Sequence, residues 1–106
     1  MMELNQQLFD QYVTEGNMPV LVDFWAPWCV YCRRIAPAME KIAQQFEGRL
    51  IVAKVNIDDV PELARREHIE VIPTLVLYQA GEALASIVAP ESKAAIEEFI
   101  IDTLGE

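Results

Sequence analysis

Cysteine is scarce in this chain: 106 residues contain two, Cys29 and Cys32. Two are too few for the disulfide framework of a small secreted domain. Histidine occurs once, as His68 in the charged stretch RREHIE, which reads as a solvated helix end. Two cysteines and one distant histidine leave an intramolecular four-ligand zinc site short of donors, although a site shared between two chains stays open. Basic residues are also few, 8 against 17 acidic ones, for a formal net charge of −9. That balance argues against nucleic acid and anionic membranes as partners, and the acidity reads as solubility. No apolar run approaches the roughly 18 residues of a membrane helix. The first residues, MMELNQQLFDQYVTEG, have neither a basic n-region nor an apolar h-region, so a cytoplasmic protein is expected. In the reducing cytosol, disulfides that do form are usually catalytic or sensing. There is no repeat, low-complexity tract or linker, and residues 1–106 read as a single domain.

Apolar residues make up 53% of the chain, enough for a modest core and too many for disorder. Asn5 is a plausible N-cap for a short helix from Gln6 to about Thr14, ended by Gly16-Asn17. VLVDFWA (20–26) is a short, nearly continuous apolar run, as expected of a strand buried on both faces. From Cys29 to Phe46 the period becomes helical, with Ile35, Met39, Ile42 and Phe46 on one face and Pro37 inside. LIVAKVNI (50–57) reads as a strand, 60–67 as a short helix and PTLVLYQ (73–79) as a strand. Ala80-Gly81 turns the chain into EALASIVA (82–89), a hairpin partner, and a last helix begins at Ser92. Met1 to Leu4 is a candidate edge strand. Strands alternating with helices predict an α/β fold, and the closing hairpin makes the sheet mixed.

The cysteine pair falls where a strand ends and a helix begins, the edge where function collects in open α/β sheets. With Cys29 as N-cap and Cys32 at N3, the two lie one helical turn apart, within the Cα separation of about 4.4–6.8 Å that a disulfide requires. Cys29 then faces the free first-turn N–H groups and the positive end of the helix dipole, both of which favour thiolate. Cys32, one turn in, is expected to be more buried and to act second. As a staple the pair would do little, since closing so short a loop yields only about 2 kcal/mol against roughly 3 for a 15-residue loop. Redox chemistry is the better reading.

At these residues the sequence resembles thioredoxin. The resemblance is carried by VDFWAPWC (22–29), Cys32, Pro37, AKVNID (53–58), IPTL (72–75) and Gly81-Glu82, in the family's order and spacing along essentially the whole chain. It implies a thioredoxin fold, a central mixed sheet of about five strands flanked by about four helices. It implies a protein-disulfide reductase with Cys29 as nucleophile and Cys32 as resolving thiol, with Asp23 moving a proton; a structural Asp23 paired with Lys54, itself mid-strand, is a compatible reading of the residues. Burial should raise the Asp23 pKa. The resemblance makes Pro73 a cis-proline facing the cysteines, leaves the Ile72 backbone to hold a substrate strand, and exposes Trp28 beside the nucleophile. No bound cofactor is implied beyond the redox-active disulfide itself. The implied partners are protein disulfides and a thioredoxin reductase as electron donor, and a monomer is expected.

Departures from the family fall at the substrate side. Val30 and Tyr31 stand where most thioredoxins have Gly-Pro; Tyr31 restores an N–H that proline lacks, which should stabilise the Cys29 thiolate and raise the reduction potential. Tyr31 also resembles the Cys-Pro-Tyr-Cys of glutaredoxins, whereas WAPWC does not. Val71 stands in place of a small residue and Ala89 in place of a glycine, so Val30, Val71 and Ala89 are expected to reshape the groove. The alternatives to a reductase are an oxidase or isomerase with a less reducing couple, a non-catalytic binding module, and a zinc- or cluster-bridged dimer.

Overall fold

Side chains alternate across a strand, so a strand apolar at every position must be covered on both faces. Strand β2 (Val20–Trp25) comes close to this, apolar at every position but Asp23, and it lies at the centre of the sheet in a computed structural model that describes residues 1–105. Around it are β1 (Met2–Glu3), α1 (Gln6–Phe9), α2 (Val30–Gln45), β3 (Ile51–Asn56), α3 (Pro61–Arg66), β4 (Thr74–Gln79), β5 (Glu82–Val88) and α4 (Lys93–Leu104). The sheet order is β1-β3-β2-β4-β5. The β1–β3 and β2–β3 pairs are parallel, and the β2–β4 and β4–β5 pairs are antiparallel. This is the expected five-stranded mixed sheet with four helices.

The pleat of β2 divides the core. Val20, Val22 and Phe24 face one layer, shared with Phe9, Val13, Val55 and Leu63 beneath α1 and α3. Leu21 faces the other, shared with Ile35, Met39, Ile42, Leu75, Leu77, Ile96 and Ile100 beneath α2 and α4. Asp23 follows Leu21 by two and therefore points to the α2 side, the one carboxylate in a strand of apolar neighbours.

Local chemistry sets the element ends. The Asn5 side chain accepts the Leu8 N–H at 2.8 Å, and Ser92 Oγ accepts the Ala95 N–H at 3.1 Å. Gly105, at φ 75°, closes α4. The first helix differs from the expectation in one respect: after Phe9 it widens into a π-helical segment, Asp10–Thr14, whose Glu15 N–H bonds the Asp10 carbonyl at 2.9 Å. A Cβ at Gly16 would lie 2.2 Å from the Tyr12 carbonyl oxygen, so only glycine fits where this widened turn folds back. Ala80 and Gly81, both at positive φ, make the tight β4–β5 turn. The edge strand at the N-terminus is present but two residues long. It aligns Glu3 with Lys54.

Candidate active site

Strand β2 ends at Trp25, and the turn that follows delivers Cys29 to the N-cap of α2. Its backbone there is extended (φ −85°, ψ 109°), its N–H bonds the Ala26 carbonyl at 3.1 Å, and its Sγ accepts the Cys32 N–H at 3.2 Å. Cys29 and Cys32 form a disulfide with their Cα atoms 5.2 Å apart. Cys29 is 9% exposed and Cys32 3%, so an incoming sulfur meets Cys29 first. The pair packs with Ala26 against Trp25, Ile57 and Ile72. Pro37, further along α2, removes the donor that would bond the Arg33 carbonyl, yet the helix continues to Gln45. The N-cap and N3 positions are those the spacing predicts.

On the inner side of the pair lies a cavity of about 130 Å³ lined by Cys32, Asp23, Lys54, Trp25, Arg33 and Ala36 among others. Asp23 is 3% exposed. Desolvation pushes its pKa up from the ordinary 3.8 to about 7, and the charge of Lys54 pulls the other way. Asp23 and Lys54 are neighbours in the β2–β3 register. The Lys54 ammonium lies 3.8 Å from Glu3 and 4.7 Å from the Trp25 ring centroid. Among the described residues, Asp23 Oδ1 and Trp25 Nε1 have no hydrogen-bond partner. A cavity of this size, with the unpartnered Asp23 carboxyl oxygen and Cys32 both in its lining, has room for water.

Three segments form the outer rim. Trp28 is 63% exposed, and its indole N–H donates to Asp58 Oδ2 at 3.0 Å. The Ile72–Pro73 peptide is cis, as the resemblance implied, and Thr74 Oγ1 donates to the Val71 carbonyl at 2.6 Å. Ala89 has φ 44°, and its N–H bonds the Pro73 carbonyl at 2.9 Å. Val30 and Val71 stand exposed on this rim. The Tyr31 hydroxyl donates to the Pro90 carbonyl at 2.8 Å. In the disulfide form the N–H that reaches Cys29 Sγ is that of Cys32, and it is the Tyr31 side chain that makes a contact of its own across the groove.

Sequence reasoning gave no role to Asp58 or Arg33, and it placed Ala89-Pro90 near the groove without the Tyr31 bond to the Pro90 carbonyl. Asp58 was within reach: parallel pairing aligns Trp25 with Asn56, so the residues just beyond both strands share one edge. The Arg33 guanidinium donates to the Pro27 carbonyl at 2.7 Å and fastens the turn before Cys29. Nothing in the spacing points to it. Among the described residues, no group of three or more His, Cys, Asp or Glu side chains is placed to hold a metal ion, and no helix is long and apolar enough to cross a membrane.

The sulfur pair defines the class. Two cysteines one helical turn apart and at disulfide distance, with Cys29 the more open of the two, are the pair a thiol–disulfide oxidoreductase needs, and the family match supports that class. Residues 1–102 match the family described as Thioredoxin, and the chain belongs to that family and has its fold. It is 41% identical over 98 residues to "Thioredoxin 1" of Nostoc sp., covering 92% of each chain. It is 42% identical over 98 residues to "Thioredoxin" of Buchnera aphidicola, covering 92% of this chain and 90% of that one. A "Bifunctional thioredoxin reductase/thioredoxin" of Mycobacterium leprae is 40% identical over 102 residues, which are 96% of this chain and 22% of that protein.

Proposed function

We propose that this protein reduces protein disulfides through a Cys29/Cys32 dithiol–disulfide cycle. The observation that carries the reading is the asymmetry of the pair: Cys29 caps a helix on the open side, while Cys32 is buried over the cavity that holds Asp23. First-turn N–H groups and the helix dipole favour the Cys29 thiolate. That thiolate attacks one sulfur of the target disulfide, and the target's other sulfur leaves as a thiolate that takes a proton. The target remains joined to Cys29 in a mixed disulfide. Cys32 then gives its proton toward Asp23 through water in the cavity and attacks Cys29 Sγ. The target's second sulfur departs reduced, and the two electrons it carries come from the Cys29–Cys32 thiols, now a disulfide.

An Asp23 carboxyl that titrates at about 7 is matched to proton exchange near neutral pH. Lys54 tempers that shift by its charge. The rim of Trp28, Val30, Tyr31, Ile72, Pro73 and Ala89 is the substrate groove, with the Ile72 backbone pairing to an extended target strand. Electrons pass through the two sulfurs alone, so no bound cofactor takes part, and a thioredoxin reductase returns the pair to the dithiol. The protein works as a monomer in the cytoplasm.

A second reading, an oxidase or isomerase, draws on Tyr31, whose N–H stands at N2 where the family's usual proline has none. Insulin reduction with and without a thioredoxin reductase and NADPH decides between them. The expected result is insulin precipitation that depends on both. Failure to reduce insulin, together with a couple poised near that of disulfide isomerases, would overturn the reductase reading.

A further inference from the structure

Tyr31 is the second residue of α2, and its ring packs against the core layer between the sheet, α2 and α4. From there its hydroxyl reaches the carbonyl of buried Pro90 at 2.8 Å, 59 residues further along the chain. The adjacent Ala89 holds φ 44°, a left-handed conformation that an alanine adopts against its own preference. Such a conformation persists only where its surroundings over-determine it. Two bonds do so here: the Ala89 N–H to the Pro73 carbonyl, and the Tyr31 hydroxyl to the Pro90 carbonyl. Together they join the helix that carries the cysteines, the cis-proline loop and the loop between β5 and α4. These are the three walls of the groove.

We propose that the Tyr31–Pro90 hydrogen bond tethers the β5–α4 loop to the active-site helix, making Tyr31 a positioning residue that pre-forms the groove for extended protein strands. An extended strand touches all three walls, so a loop already fixed in place need not be ordered when the strand binds. A small disulfide needs only the Cys29 sulfur and gains nothing from the tether. Tyr31 therefore sets a preference for protein over small-molecule disulfides. The inference rests on the reading of this rim as the substrate groove of a disulfide reductase.

The test compares the wild type with Tyr31→Phe, which removes one oxygen. Pre-reduced protein is mixed with insulin, and its oxidation is followed by tryptophan fluorescence. The same is done with the small aromatic disulfide dithiobis-nitrobenzoate. Hydrogen exchange of the Ala89 amide is measured in parallel. In the variant the half-saturating insulin concentration should rise roughly three- to tenfold, the range of one neutral hydrogen bond, with the limiting rate retained. The rate with the small disulfide should change by a smaller factor than the insulin efficiency, and exchange at Ala89 should quicken several-fold. Tyr31→Leu, which keeps an apolar side chain and lacks the hydroxyl, must reproduce this split. Equal losses on both substrates, or exchange at Ala89 that does not change, overturns the tether. A wild type that insulin cannot oxidise defeats the reductase reading instead, and exchange at Ala89 still decides whether the tether exists.

Discussion

Asp23 and Lys54 stand side by side in the register of β2 on β3, yet the lysine sends its ammonium to Glu3 and the Trp25 ring while Asp23 Oδ1 has no hydrogen-bond partner among the described residues. A carboxyl so placed resists ionisation, and its folded-state pKa rises from 3.8 to about 7. The sign of the effect on stability follows. Between those two values the folded state holds a proton that the unfolded chain has lost, so the Asp23 contribution is fully present below about pH 4, falls as pH rises toward 7, and stays lost above it. Asp23→Asn should therefore stabilise the oxidised protein by about 2–4 kcal/mol at pH 8 and by little at pH 4. Urea unfolding at the two values checks this. An equal gain at both would show that the carboxyl is not held protonated.

The same residue is expected to govern the second half of the catalytic cycle. Cys32→Ser should accumulate an insulin mixed disulfide on Cys29, visible by mass spectrometry, because the resolving thiol is gone. Asp23→Asn should leave the attack by Cys29 in place and slow release of that intermediate by about a hundredfold, the low end of a general-base contribution. Release in the wild type should quicken through an inflection near pH 7, and the variant should lose it. If no trapped species appears with Cys32→Ser while Cys29 still reacts with iodoacetamide, the two-thiol cycle is wrong.

Ala89 occupies a backbone conformation that suits glycine. Ala89→Gly should raise stability by about 1 kcal/mol, because relief of the left-handed strain outweighs the extra freedom of glycine in the unfolded chain. Denaturant midpoints at an unchanged m-value measure it. A lower midpoint would mean that the alanine methyl makes contacts worth more than the strain.

The Val30-Tyr31 pair should set the redox poise. Replacing both residues with Gly-Pro removes the Tyr31 N–H at N2, which is expected to join the Cys32 N–H as a donor once Cys29 is a thiolate, and should make the couple more reducing. One kcal/mol of lost thiolate stabilisation corresponds to roughly 20 mV, so a drop of tens of millivolts is expected. Equilibration of both proteins with glutathione gives the difference directly, and an unchanged or higher potential in the Gly-Pro variant would refute the argument.

Strand boundaries were legible to within about a residue because burial imposes a period: VLVDFW cannot sit anywhere but inside, and the change to helical spacing after Cys29 marks the start of α2. The N-caps Asn5, Cys29 and Ser92 were legible for the same local reason. The π-helical widening after Phe9 was hidden, since a bond to the fifth residue rather than the fourth leaves no mark in an apolar pattern only nine residues long. The site was legible where its chemistry is confined to one stretch, as in the cysteine pair. Links that join distant segments, such as Trp28 to Asp58 and Tyr31 to Pro90, depend on side-chain directions that spacing does not encode. The positive φ of Ala89 was hidden by its residue type, for alanine, unlike glycine or asparagine, gives no sign of a left-handed backbone.

The groove walls come from residues near 28–31, 71–73 and 89–90, and β4 brings the last two together by pairing with β2 on one side and β5 on the other. A growing chain therefore acquires its two thiols long before it acquires a surface that chooses among disulfides. Pairing across such distances is the slow part of folding. Until the final hairpin is in place, the wall at 89–90 does not stand beside Cys29 and Cys32. A groove with three walls is thus a property of the finished sheet.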